Sequence, residues 1–184
     1  MLVLNRRPGE SIVIEPDVRV TVLSVAERRV WIGLKSSAFP ALHISATVLS
    51  ATEARLEIVP ISSVALEDGQ VRVTVGSDGE PGTLARAGLA LDRRAGERVE
   101  VGEDMWVAVS SVSKGNPTLA FGGRAIGDDF GITLIRPAGS YVRLGVDAPD
   151  RRVYREELWD LVQSGQGTRE HGGGTDVTAG SQAG

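Results

Sequence analysis

Three arginine-bearing stretches could do chemistry: Leu4-Asn5-Arg6-Arg7-Pro8-Gly9-Glu10, Leu91-Asp92-Arg93-Arg94-Ala95-Gly96-Glu97, and Asp150-Arg151-Arg152-Val153-Tyr154-Arg155-Glu156-Glu157. A guanidinium is a planar fork of donors that engages a phosphate, or the O6/N7 edge of guanine, bidentately, while carboxylates and strand backbone can read base edges in an unpaired loop. Other chemistries have few carriers. The chain has no cysteine and only His43 and His171 as histidines, so thiolate nucleophiles, sulfur-built zinc sites and His-rich metal centres are excluded. No Ser-His-Asp set survives, and Asp129-Phe130-Gly131 copies a kinase metal-binding tripeptide without the loops that would give it meaning. Glu156 and Glu157 are adjacent, hence about 100° apart on a helix, which suits the helix dipole better than paired acid–base work. No catalytic residue, metal or cofactor is expected.

The elements that must hold these arginines are strands. Apolar residues alternate at Ile12 and Ile14, at Val18, Val20 and Val22, and at Val30 and Ile32, with turn material such as Glu15-Pro16-Asp17 between them. Similar pairs recur over 54–75, 97–121 and 130–146, which predicts an all-β, antiparallel architecture. One helix is predicted from about Arg155 to Ser164, with Glu156 and Glu157 in its first turn and Leu158, Leu161 and Val162 on one face. Trp31, Trp106 and Trp159 read as packing residues. The segment 164–184 carries seven glycines and one aliphatic residue, and reads as a disordered tail. The N-terminal arginines after only a few apolar residues, the reverse of a secretory signal, and the absence of an apolar run of about 18 residues predict a cytoplasmic protein with no membrane partner. Eight aromatic residues are too few for a platform that stacks successive bases, so nucleic-acid binding would have to be local.

The first two arginine motifs share five of seven positions at an offset of 87, which predicts an internal duplication. A second self-match sets Ile14–Leu34 on Ile126–Val146 at an offset of 112, and the difference suggests one extra hairpin in the second half, with another at 54–75 in the first. The expected organisation is a first half over 1–76, a linker over 77–87, a second half with the helix over 88–163, and the tail over 164–184.

With these residues in view, the N-terminal MLVLNRRPGESIVI, VRVTVLSV and VWIGL, and the C-terminal YVRLGVDAP and DRRVYREEL, resemble the two ends of the carbon storage regulator (CsrA/RsmA) family. The resemblance covers 1–35 and 126–163 well and 88–122 less closely. It implies a duplicated, pseudo-dimeric sandwich or barrel with one short C-terminal helix. It also implies a repressor that binds GGA-containing hairpin loops in mRNA 5′ regions, blocking translation initiation or altering mRNA stability. Family members are intertwined dimers, and each site joins the first strand of one subunit to the last strand of the other. Carried over, the RNA-binding residues are Leu4, Arg6 and Arg7 from the first strand and Val153, Arg155 and Glu156 from the last. Arg93, Arg94, Arg151 and Arg152 are the weaker candidates, Arg93 and Arg94 because Asp92 would oppose a phosphate.

Fusion of two halves predicts that Leu2–Arg6 lies beside Arg152–Glu156 in one intact site. The second site would join Leu89–Arg94 to Pro40–Ser45, where Ile44 stands in place of the recognition arginine. A protein antagonist, a regulatory small RNA and a further homodimer are compatible partners. The competing reading is a diverged protein-interaction module that has lost RNA contact.

Overall fold

The computed structural model describes residues 1–26, 29–39, 41–59, 61–67, 70–75, 88–135 and 141–164. The linker expected at 77–87 and all of the expected tail beyond residue 164 lie outside the described residues. The chain runs β1 (Leu2–Arg6), β2 (Ser11–Ile14), β3 (Val18–Ala26), β4 (Arg29–Lys35), β5 (Leu42–Val48), β6 (Glu53–Val59), β7 (Ile61–Glu67), β8 (Gln70–Val75), β9 (Leu89–Arg94), β10 (Arg98–Val101), β11 (Met105–Ser113), β12 (Asn116–Gly123), β13 (Gly127–Ile135), β14 (Val142–Asp147), β15 (Val153–Arg155) and α1 (Glu156–Gln163). The all-β reading and the single short C-terminal helix are correct.

The alternation sets the layers. Val18, Val20 and Val22 of β3, Val30, Ile32 and Leu34 of β4, and Leu42, Ile44 and Ala46 of β5 point inward and are fully or almost fully buried. They form one core with the inward residues of β11 to β14, among them Val107, Leu119, Phe121, Ile132 and Leu144. Two sheets therefore sandwich a single apolar layer. The three tryptophans only half-bury themselves, outside that layer. Trp31 lies between core residues of β4 and faces outward, Trp106 carries Arg98 over its ring at 4.1 Å, and Trp159 packs on Tyr154. α1 forms where expected, but Leu158, Leu161 and Val162 stay about half exposed.

The sheets exchange strands between the two parts of the chain. One has the order β1-β14-β13-β12-β11-β10-β8-β7 and the other β15-β2-β3-β4-β5-β6-β9. Leu2 pairs with Val146 and Leu4 with Leu144, while Leu89 pairs with Ile58 and Leu91 with Leu56. The second strand of each pair thus follows the same register at an offset of 87 or 88. The ladder shift between Val22 and Ser24 recurs between Val109 and Ser111. The turns before β2 and β10 are the same: Gly9 and Gly96 take φ of +88° and +93°, and their N–H groups donate to Val22 O and Val109 O. That left-handed conformation is what glycine supplies without strain.

Two details of the sequence reading change. The 112-residue self-match sets the β3–β4 hairpin on β13–β14, whereas strand order matches β3–β4 to β11–β12 and β6 to β14; the shared alternation of any two hairpins explains the false register. Pro40–Ser45 does not serve as a last strand either. Its described part enters β5, a central strand between β4 and β6 with Ile44 fully buried. The place next to β10 that mirrors β15 next to β2 belongs to β8, which runs parallel to its neighbour and is covered in turn by β7.

Candidate nucleic-acid interface

Arg6 ends β1 where the chain crosses from one sheet to the other. Its side chain is 4% exposed. The Nε donates to Ser11 O at 3.1 Å and an Nη1 donates to Asn5 O at 3.0 Å. Nη2 is buried without a hydrogen-bond partner and lies 3.8 Å from Glu157 Oε1, close enough for charge attraction but too long for a hydrogen bond. The turn that follows is braced by Glu10, whose carboxylate accepts from the Arg7 N–H at 2.8 Å and leaves the Arg7 side chain exposed.

The C-terminal contribution arrives along β2. Val153, Tyr154 and Arg155 pair with Ile14, Val13 and Ile12, so Arg155 sits one residue from Ser11, whose carbonyl holds Arg6. The first strand and the last strand thus converge at the start of β2, but they are not hydrogen-bonded neighbours as expected. β1 pairs with β14 and β15 with β2, and each is the edge of its own sheet. Among the described residues each edge has one unpaired side of backbone N–H and C=O groups, the kind of group that reads an unstacked base. Arg155 is exposed at the N-terminal boundary of α1. Leu4 and Val153 are half-buried against the core. Glu156 is bound by Arg19 of β3 at 2.8 Å.

Arg19, Arg143 and Ser11 escaped the sequence reading, in which Glu157 is only a helix-dipole residue. Arg143 is exposed on β14 directly across from Asn5 of β1. The Arg143 placement has no local signal, because β1 meets β14 through a pairing that spans most of the chain.

Arg151 and Arg152 diverge. The Arg151 guanidinium donates to Glu15 O, to Ile126 O at 2.9 Å, to Asp128 O at 3.0 Å and to Ile14 O at 3.3 Å, and lies over the Phe130 ring. It ties the β2–β3 turn of one sheet to the β12–β13 turn of the other. Burial lowers its pKa, opposed by the charges of Asp128 and Asp17. Arg152 stays exposed, and a hydrogen bond with Tyr154 raises its pKa.

At the opposite flank, Arg93 repeats part of the Arg6 arrangement. Its Nη1 donates to Asp92 O at 3.1 Å, but its Nε is buried with no partner, and Arg98 stands where Ser11 stands beside Arg6. Arg94 is exposed. Asp92 is held by a two-point contact with Arg55, at 2.7 and 3.1 Å, so its charge is locally matched instead of facing outward unopposed. That contact holds the Asp92 carboxyl below its ordinary pKa and raises that of Arg55. Among the described residues no group of three or more His, Asp or Glu could hold a metal ion, and no helix is long and apolar enough to cross a membrane.

Residues 1–38, from β1 through β4, match the family model described as "CsrA: Global regulator protein family". That stretch holds the first strand, the braced turn and the β2–β4 meander. Residues 1–38 are thus similar to the CsrA family. Three curated relatives named translational regulator CsrA, from Geobacter sulfurreducens, Geobacter metallireducens and Geotalea uraniireducens, are each 49% identical over 39 residues. That match takes in 21% of this chain and about half the length of each relative (49%, 50% and 49%). No solved structure matches the chain significantly. Leu4, Arg6 and Arg7 lie in the matched segment, whereas Val153 and Arg155 reach it through the β15–β2 ladder and Glu156 through its ion pair with Arg19.

Proposed function

We propose that the chain is a post-transcriptional regulator that binds GGA-containing hairpin loops of mRNA on the flank where β1 and β15 meet, blocking translation initiation or altering mRNA stability. The observation that carries this is the buried Arg6 guanidinium, which has an Nη2 without a hydrogen-bond partner beside two free strand edges. A buried donor left unmade costs about 1–3 kcal/mol, and a base edge or phosphate admitted by movement of the exposed Glu157 side chain beside it would recover that cost. Arg7 follows Arg6 in the chain, Arg155 pairs across from Ile12 and Arg143 across from Asn5, all three as exposed cations; exposed Arg152 stands at the other end of β15, and Leu4 and Val153 are half-buried against the core. The relatives matched by residues 1–38 are named translational regulators, which agrees with this reading.

The recurrence of register at 87 and 88 residues supports an internal duplication in which two halves stand in for two subunits, each lending its first strand to the other's sheet. A cytoplasmic location follows from such a role. The flank made by β9, β8 and β7 is the poorer site, because β7 covers the edge that β15 leaves open.

Gel-shift titration with a GGA hairpin and its CCA variant tests the reading. Binding should prefer GGA and fall with salt. Three to five neutralised phosphates at about −0.7 each give a logarithmic slope of about −2 to −3.5. The preference should outlast the loss of total affinity, since base-edge hydrogen bonds release no counterions. A steeper slope without discrimination would reject the site. No binding at low salt would support the second reading, a protein-interaction module, which the exposed apolar side chains Leu158, Leu161 and Val162 of α1 and Val64 and Leu66 of β7 favour.

A further inference from the structure

Arg6 has one side-chain nitrogen without a hydrogen-bond partner, and that nitrogen stands beside a carboxylate. The residue is 4% exposed, its Nε and Nη1 donate to the carbonyls of Ser11 and Asn5, and its Nη2 lies 3.8 Å from Glu157 Oε1. At that distance the charges attract but no hydrogen bond forms. Nη2 is therefore neutralised without being satisfied.

The two partners are held unequally. Backbone carbonyls fix the guanidinium where β1 leads into β2, whereas the Glu157 side chain is 62% exposed. The helix that carries it, α1, buries no residue and has no side-chain N-cap. It lies against β15 and β2, with a Tyr154–Trp159 ring contact and the ion pair of Glu156 with Arg19. An ion pair with one exposed member is weakly held, so the Glu157 carboxylate can shift outward without any strand moving.

We propose that Glu157 is a specificity-determining residue of the β1/β15 site, admitting an uncharged base edge to Arg6 Nη2 and turning away a phosphate. The inference rests on the RNA-binding reading above and narrows it. Guanine O6 and N7 are acceptors without net charge. Once the carboxylate has shifted, such an acceptor takes the missing hydrogen bond at about 3 Å while Glu157 stays near enough to balance the guanidinium. A phosphate at the same place sets a second anion against the first, and like charges at such range are strongly unfavourable. Phosphates are left to the exposed Arg7 and Arg155. Discrimination then comes from a repulsion set against the wrong ligand group as well as from a contact with the right one.

The test is a gel-shift titration of the full chain, at one salt concentration, with the GGA hairpin and its CCA variant. The parent is compared with Glu157→Gln and Glu157→Ala. Asp160→Asn, three residues further along α1, controls for the loss of charge alone. Glu157 and Asp160 are both exposed, so all three variants should melt close to the parent. Both Glu157 variants should bind the CCA hairpin about five- to tenfold tighter and the GGA hairpin within about twofold of the parent, so that the preference for GGA shrinks. Asp160→Asn should leave the preference as it is. An unchanged preference in the Glu157 variants, a preference that shrinks only through weaker GGA binding, or the same shrinkage in Asp160→Asn would each overturn the role of Glu157 and leave the RNA-binding reading standing. A parent chain with no preference for GGA would overturn both.

Discussion

Arg6 and Arg93 occupy matching positions on matching strands, yet their surroundings differ in three ways. Arg6 is held through Nε by the Ser11 carbonyl and has Glu157 of α1 nearby, whereas the Arg93 Nε has no partner and Arg98 replaces Ser11. Asn5, beside Arg6, faces the exposed Arg143, whereas Asp92, beside Arg93, is locked to Arg55. The strand across the first flank is the three-residue β15, an open edge ending in a helix, whereas the second flank has β8 with β7 laid over it. A repeated backbone therefore does not repeat a site. One flank leaves Arg7, Arg155 and Arg143 exposed beside open strand edges, and on the other Arg55 pairs with Asp92 and an extra hairpin covers the edge.

The largest expected effect comes from Ile44→Arg. If Pro40–Ser45 were a last strand missing its arginine, this change would restore a second RNA site. In the fold it drives an unpaired charge into a fully buried position of β5, at a cost above about 4–5 kcal/mol. Thermal unfolding should show most of the stability gone. A folded variant with doubled RNA stoichiometry would break the comparison.

Next come the arginines themselves. Arg155→Ala and Arg6→Ala should each weaken GGA-loop binding by about 5- to 150-fold, the equivalent of 1–3 kcal/mol for one bidentate contact. Arg94→Ala should change it by about twofold or less. Because Arg6 is buried, its variant is read at a folded concentration set by its own melting curve, and the exposed Arg155 carries the argument if Arg6→Ala unfolds. Equal losses from all three would mean that both flanks bind RNA.

Arg151→Ala separates a tie between sheets from an RNA contact. Removing its hydrogen bonds to carbonyls of both sheets should lower stability by about 2–4 kcal/mol while the folded fraction binds RNA as before. An intact melting point with reduced affinity would put Arg151 in the RNA site.

The smallest effect concerns the Arg55–Asp92 contact on the closed flank. Its hydrogen bonds hold the Asp92 pKa below the ordinary value. The stabilisation is therefore complete above the usual aspartate pKa of about 3.9 and is lost as pH falls through the lower folded value. The melting difference between the parent chain and Asp92→Asn should be steady near neutral pH and vanish in strong acid. A difference that grows on acidification would contradict the assigned direction.

Much of this was legible in the sequence because it is written in local patterns. Alternation at Val18, Val20 and Val22 fixes a strand with one buried face, Glu156 and Glu157 ahead of Leu158 mark a helix start, and the paired Arg-Arg-x-Gly-Glu motifs give the 87-residue register and its two glycine turns. What the pattern could not say was which strand lies beside which. Period-two alternation is the same for every hairpin, so a self-match at 112 looked as good as the spatial equivalence at 87 and 88. Ile44 likewise reads as a missing arginine until β5 is placed between β4 and β6. Only tertiary pairing brought Arg143 beside Asn5, Arg19 beside Glu156 and Arg151 between two sheets, because those contacts are made by strands far apart in the chain whose order is set by burying one shared apolar layer.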